Sequence, residues 1–311
     1  MKFINNWELQ ARNVPILILL FNRPGSARAL IDALRDIKPA FLYIACDGAR
    51  ETVKGEAALV HDVKKIVDEH IDWNCQIFTL YNDRNLGCKL AVSSAIQWFF
   101  SHVKEGIVLE DDCIPSPGFF DYIAYYLEVF RNEKKIASIA GRREIEADNS
   151  CDIHFSSKFF CWGWASWSDR INSIDVEFGY QPDLPPYIME NLSFWESRHV
   201  KGIHNLMLDG IVNSWAYSYD LVFRSSRQLH VIPPVNFITN IGIGLGTHET
   251  REKEDKIYVE DGIFIAKATP PIVKNDPLVK LYFKKNYGVF KTLLFPYASL
   301  IKRVKKYLGI K

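Results

Sequence analysis

The amino-acid sequence predicts an α/β fold, a mostly parallel central sheet with helices on both faces. Three observations carry that reading. Five apolar runs of strand length alternate with stretches of helical periodicity through the first half of the chain. Four of those runs lead into polar, glycine or acidic residues: Asn22-Arg23, Asp47-Gly48, Asn85-Leu86-Gly87 and Glu110-Asp111-Asp112. The chain has 311 residues, 48% of them hydrophobic and 14% aromatic, which is ample for one large core or two fused lobes.

The elements follow in order. VPILILLF, from Val14 to Phe21, reads as a buried strand. PGSARALIDALRDI reads as a helix, with Ala29, Leu30, Ala33, Leu34 and Ile37 at helical spacing and Pro24 suited to the first turn. AFLYIAC is a second strand, and a helical stretch follows near Val53 to Ile71. CQIFTLYN is the third strand, joined through DRNLGC to a helix from about Lys89 to Val103. GIVLE, a helix near Phe119 to Arg131, and KIASIAG complete the alternation. In sheets of this kind ligands bind beyond the carboxyl ends of the strands.

Composition excludes several classes. No stretch reaches the roughly 18 apolar residues of a membrane span, and the run at Val14 to Phe21 lacks the cleavage site of a signal peptide, so a cytoplasmic protein is expected. The six cysteines form no CxxC pair, which argues for reduced structural thiols over a disulfide framework or zinc knuckle. The net charge of +1 hides a partition: residues 274–311 hold ten Lys and Arg against one acid, Asp276, for +9, leaving −8 on the rest. Two readings of this tail stand open, peripheral contact with the inner face of an anionic membrane or a C-terminal helix docked on the body with solvated lysines. The acidic body argues against nucleic acid.

Three carboxylates close the apolar run in GIVLEDDCIPSPGFF. Such a cluster carries a repulsion that a cation relieves, and hard oxygen ligands suit Mg²⁺ or Mn²⁺ completed by phosphate oxygens of a nucleotide. The alternative is an acidic turn at the start of the helix that follows Pro115. No GxxxxGK[ST] loop, GxSxG or HExxH occurs, and the glycine-rich NIGIGLG at 240–246 opens no βαβ unit.

Six motifs then appear in sequence order: FNRP (Phe21 to Pro24), DGAR (Asp47 to Arg50), NLGC (Asn85 to Cys88), VLEDDCIPSPGFFDY, FFCWGWASW (Phe159 to Trp167) and NFITNIGIGLGTHET (Asn236 to Thr250). With them the chain resembles the nucleotide-sugar glycosyltransferases of the GT-A fold, in particular bacterial family 2-like proteins related to the N-acetylglucosaminyltransferase I group. The resemblance runs from about Pro15 to Thr250. It implies a nucleotide-sugar-binding half over residues 1–145, an acceptor-binding and catalytic half over 146–270, and a basic tail over 271–311.

The resemblance also implies roles. Asp47 corresponds to a carboxylate that accepts the imide N–H of uracil, Arg23 and Arg50 to groups facing ribose or diphosphate, and Gly87 to a close backbone approach to the nucleotide. Asp112 corresponds to the direct metal ligand, with Glu110 and Asp111 reaching ribose and metal-bound water, and His248 to a residue holding metal or diphosphate. Gly242, Gly244 and Gly246 then form a loop that closes over the diphosphate. Trp162, Gly163 and Trp164 are expected beside the transferred sugar or acceptor, one of the two tryptophans at the site, with Trp167 packed beneath.

Inverting transfer further requires a carboxylate base. In LDGIVNSWAYSYD the acid that the family pattern places beside the tryptophan is replaced by Asn213 and Ala216. Asp209, one turn before Asn213 if the segment is helical, is the candidate base, and Asp220 its alternate. The implied activity is metal-dependent transfer from a UDP-sugar to a glycan or lipid-linked acceptor in cell-surface polysaccharide synthesis. Two other readings remain: a degenerate domain that binds nucleotide sugar without turnover, and a sugar-1-phosphate nucleotidyltransferase.

Overall fold

The structure, a computed structural model, describes residues 11–143, 153–190, 192–242, 279–282 and 288–308. One sheet of eight strands organises it, in the order β3-β2-β1-β4-β8-β6-β9-β7. The strands are β1 (Ile16–Leu20), β2 (Phe41–Cys46), β3 (Gln76–Tyr81), β4 (Glu105–Glu110), β6 (Ile136–Ala140), β7 (His154–Ser156), β8 (Trp164–Trp167) and β9 (Leu229–Ile232). A short antiparallel pair, β5 (Cys113–Pro115) with β10 (Ile238–Asn240), lies beside it.

The expected α/β architecture is present. β3, β2, β1 and β4 run parallel, so their carboxyl ends share one edge. Beyond β4 the sequence expectation needs a correction. FFCWGWASW, expected as a site loop, contributes β8, which runs antiparallel between β4 and β6. β6 and β9 resume the first direction, and β7 opposes them.

Strand alternation sorts the core onto two faces. Ile16, Ile18, Leu20, Leu42 and Ile44 pack against α1 (Pro24–Leu34), α2 (Glu56–His70) and α4 (Pro117–Phe130). Leu17, Leu19, Tyr43 and Ala45 pack on the opposite face against α3 (Gly87–His102) and, farther along the sheet, α8 (Trp215–Ser225). α1 starts at Pro24, whose missing N–H costs nothing at a first turn, and it buries Ala27, Leu30, Ile31 and Leu34 at helical spacing. The short helices α5 (Ser168–Ile171) and α6 (Tyr187–Glu190) lead to α7 (Phe194–Leu208), whose N-terminus carries a capping box between Ser193 and Glu196.

α9 (Gly288–Leu294) and α10 (Ala298–Tyr307) reach the body through the turn between them. There Phe295 stacks on His199 of α7 with ring centroids 5.0 Å apart, and Asn205 donates to the Pro296 carbonyl at 3.0 Å. Among the described residues no helix is long and apolar enough to cross a membrane.

His199 and His230 are both buried, and burial pushes each imidazole down to about 3, so the fold holds them neutral. A depressed folded pKa stabilises above the unfolded value of 6.5, and that stability is lost as the pH falls from 6.5 towards 3. Urea unfolding between about pH 7 and pH 5 is therefore expected to lose on the order of 1–2 kcal/mol per histidine, and His230→Gln to remove its own share of that slope.

Candidate functional site

A cavity of about 560 Å³ opens at the shared carboxyl edge of β1, β2, β3 and β4. Its wall is built from the residues that follow each strand: Phe21, Asn22 and Arg23 after β1, Asp47 and Arg50 after β2, Asn82 and Asn85 after β3, and Glu110 and Asp111 at the end of β4. The first turns of α3, with Gly87, Cys88, Ala91 and Val92, close one side. Cys88 is exposed on this wall and forms no disulfide.

Asp47 is the most heavily bonded group on this wall. Its Oδ1 accepts from the amides of Gly48 (2.9 Å) and Leu86 (3.0 Å) and from Asn82 Nδ2 (3.1 Å). Its Oδ2 accepts from Asn85 Nδ2 (2.9 Å) and the amide of Gly87 (3.0 Å). Five donors occupy the roughly four lone-pair directions of a carboxylate. Leu86, the N-cap of α3, makes no capping bond with its own side chain, so Asp47 satisfies the orphan amides of that helix from across the cavity. The expected role for Asp47, accepting a uracil imide, is corrected on this ground: no acceptor direction is left for it. Gly87 lines the cavity. Its φ of +78° accounts for the glycine, and a Cβ there would meet nothing within 4 Å.

Arg50 is held by a residue that sequence reasoning missed. Glu56, the first residue of α2 and 1% exposed, accepts from the Arg50 amide (2.7 Å), from Arg50 Nε (3.0 Å) and from Asn22 Nδ2 (2.8 Å). The Arg50 hydrogen bonds hold the Glu56 carboxyl at about 2 against the opposing effect of burial. Glu56 thereby fixes two cavity residues from different strand ends. In the sequence it is one more acid in a first helical turn.

The carboxylates of β4 meet a cation, and it is Arg23. Its Nη1 lies 3.1 Å from Asp111 Oδ1 and 3.1 Å from Asp112 Oδ2. Arg23, expected at the ribose or diphosphate, instead bridges the acids. Burial works against its charge, but the two carboxylates raise its pKa above the ordinary value. One guanidinium against three carboxylates leaves the strand end acidic. Burial, and then the charges of Asp112 and Asp111, lift Glu110 to about 8, while burial lifts Asp111 to about 6 against the pull of Arg23.

The donor set fits a divalent cation in one respect and not in another. Asp111 and Asp112 turn one oxygen each towards a single position, now taken by a guanidinium nitrogen, and both are hard ligands. Among the described residues, however, no three His, Cys, Asp or Glu side chains come together as a cage. A cation there displaces Arg23 and takes its remaining ligands from elsewhere, as Mg²⁺ and Mn²⁺ do when they bind with phosphate oxygens. Asp112 is itself held from the β10 side: Ile241 donates to its carbonyl at 2.9 Å, and the Gly242 backbone lies so close that a Cβ would fall 2.2 Å from Asp112 Oδ2. His248, Gly244 and Gly246 lie outside the described residues.

The remaining expected site residues part company. Trp162 is half-buried, with Arg142 over its ring at 5.3 Å. Trp164 is fully buried in the second core cluster and stacks on Trp215, so it is core and not a sugar platform. Trp167 is buried as expected, under the Arg170 guanidinium. Gly163 has φ +65° and faces Ile238, which accounts for its identity without a ligand.

The candidate bases are both displaced. Asp209 is the C-cap of α7 and Gly210 follows with φ +65°, so the helix ends before Asn213 and the two share no helical face. Asp220 is half-buried on α8, where it accepts from Arg224 Nε (2.7 Å) and the Phe159 amide (2.8 Å). Burial opposes its charge, and Arg224 and Lys158 nevertheless hold its carboxyl below the usual range. Neither residue lines the cavity.

No family model and no curated protein matches the chain. Solved structures that match include a mannosyltransferase from Pyrobaculum calidifontis in complex with GDP-Man and Mn2+, 10% identical with a TM-score of 0.36 over 69% of this chain and 74% of that one. A UDP-glucose pyrophosphorylase complexed with UDP-glucose is 8% identical, with a TM-score of 0.35 over 70% of this chain and 90% of that one. A 4-diphosphocytidyl-2C-methyl-D-erythritol synthase from Anaerococcus prevotii is 10% identical, with a TM-score of 0.33 over 68% of this chain and 97% of that one. At scores this low the likenesses carry no argument, and the functional reading rests on the cavity.

Asp47→Asn turns one acceptor oxygen into a donor facing other donors. The ligand-free variant is expected to lose about 2 kcal/mol or more in urea unfolding. A variant that keeps full stability while losing nucleotide affinity assigns Asp47 to base recognition instead.

Proposed function

We propose that the chain is a glycosyltransferase that binds a nucleoside diphosphate sugar in this cavity and transfers the sugar to a glycan or lipid-linked acceptor, with inversion. The observation that carries the proposal is the convergence of Arg23, Asp111 and Asp112 at the end of β4, beside a 560 Å³ cleft at the carboxyl edge of parallel strands. UDP-sugar is the donor that the sequence resemblance names.

In this reading Asp112 and Asp111, with His248, would hold Mn²⁺ or Mg²⁺, which when bound supplies charge stabilisation to the departing diphosphate. Arg23, released from the acids, is long enough to turn to a diphosphate oxygen, and Arg50 presents a guanidinium oriented by Glu56. Glu110, at the end of β4 and on the cleft wall, would reach a ribose hydroxyl. Trp162, the partly exposed member of its group, is the aromatic surface for the sugar.

A second reading has a specific observation behind it. Neither Asp209 nor Asp220 lines the cavity, which favours a domain that binds nucleotide sugar without turnover.

Thermal and calorimetric titration tests the site. UDP with Mn²⁺ is expected to stabilise the native protein by about 2–3 kcal/mol at roughly a hundred times Kd, and Asp112→Ala to abolish the Mn²⁺-dependent part. Preference for GDP over UDP moves the donor assignment, and no binding by any nucleoside diphosphate sinks the reading. Product formation with donor and acceptor separates transferase from binding domain.

A further inference from the structure

We propose that α7 and the C-terminal segment form a face that docks on an anionic lipid bilayer, with the groove between them seating a lipid headgroup. The inference goes beyond the transferase reading and does not rest on it. α10 carries Leu300, Ile301, Val304 and Tyr307, and Leu308 follows it, at spacings of one, four, seven and eight residues, a single stripe along the helix. An ordinary surface helix turns such a stripe to the core. Here the stripe lies in solvent, with Leu300 58%, Val304 47%, Tyr307 91% and Leu308 58% exposed. Lys305, also exposed, borders it, while Lys302 falls on the opposite side of the helix.

Beside the stripe runs a groove of about 620 Å³ between α7 and the turn into α10. Phe194, Arg198, Lys201, Tyr297 and Leu300 line it, and no acidic residue does. The Arg198 guanidinium lies over the Phe194 and Tyr297 rings at 5.6 and 5.8 Å, so cation and exposed aromatics present together. The segment is seated firmly: Arg198 Nε donates to the Leu293 carbonyl at the end of α9 at 3.0 Å, and Gly202 packs so closely on the turn that a Cβ there would clash with the Phe295 ring.

Charge commits the occupant. Residues 277–311 carry nine Lys and Arg and no acid, while residues 1–273 are net −8. An apolar stripe bordered by Lys305 and by a groove that carries Arg198 and Lys201 matches the boundary between acyl chains and anionic headgroups. A nucleic acid would leave the exposed Leu300, Val304, Tyr307 and Leu308 without an apolar partner.

The test is co-sedimentation of the full chain with vesicles of phosphatidylcholine alone, or with about 30% phosphatidylglycerol. Binding to the anionic vesicles, weakened by salt and absent on phosphatidylcholine, is expected. Val304→Glu with Tyr307→Glu should cut partitioning by at least about tenfold, and Lys201→Glu by several-fold, at unchanged melting temperature. Val304, Tyr307 and Lys201 are exposed, and UDP titration of the same preparations reads the donor cavity separately. Failure of the folded native chain to bind anionic vesicles overturns the proposal. So does binding that the Val304/Tyr307 pair leaves intact, or a concentration-dependent dimer that the same pair dissociates, which assigns the face to a second copy of the chain.

Discussion

The cavity depends on one buried carboxylate. Asp47 sits at the end of β2 and takes hydrogen bonds from the loop after β3 and from the first amides of α3. Without an acceptor there, those amides would face a cleft with no partner in the protein, because Leu86 makes no capping bond with its side chain. The positive end of the helix and the negative side chain satisfy each other, and the arrangement fixes how far α3 stands from the strand ends. That distance is the width of the cleft. Glu56 does the same work on the other side, tying Arg50 and Asn22 to the start of α2. Two carboxylates therefore act as struts, and neither is spent on a ligand.

A different logic governs the end of β4. There three acids meet one arginine, and the imbalance is expressed as raised proton affinity, about 8 at Glu110 and about 6 at Asp111. Struts are satisfied groups with few alternatives. The β4 cluster is under-compensated, so a further cation or a proton lowers its energy. The contrast separates scaffolding acids from acids available for chemistry on physical grounds alone.

The sheet was legible in the sequence because its first strands are buried on both faces and read as continuous apolar runs. Their helices were legible for the complementary reason, a single apolar stripe each. β8 was not, because tryptophans around a glycine look alike whether they line a pocket or fill a core, and only pairing with β4 and β6 decides it. The β4 carboxylates stood out by composition, yet their partner Arg23, 88 residues earlier, could be joined to them only by the fold. Glu56 was invisible because its partners are set by tertiary geometry. Asp209 was misplaced by a helix boundary, which Gly210 marks.

The chain's charge asymmetry fits this division of labour. An acidic, incompletely neutralised cleft sits at the carboxyl edge of the sheet, while the cationic residues concentrate in a segment that reaches the body through α7. Placed beside the cleft, that basic segment would neutralise the β4 acids and compete with Arg23 for them. The contacts that Phe295 and Pro296 make with His199 and Asn205 fix it to a helix that contributes nothing to the cleft wall. Surface charges more than about 10 Å apart are largely screened at ordinary salt. Lys280, Lys291, Lys302 and Lys305, the basic residues of that segment whose side chains are described, line no part of the cleft, so none of them offsets the excess negative charge of the β4 cluster there.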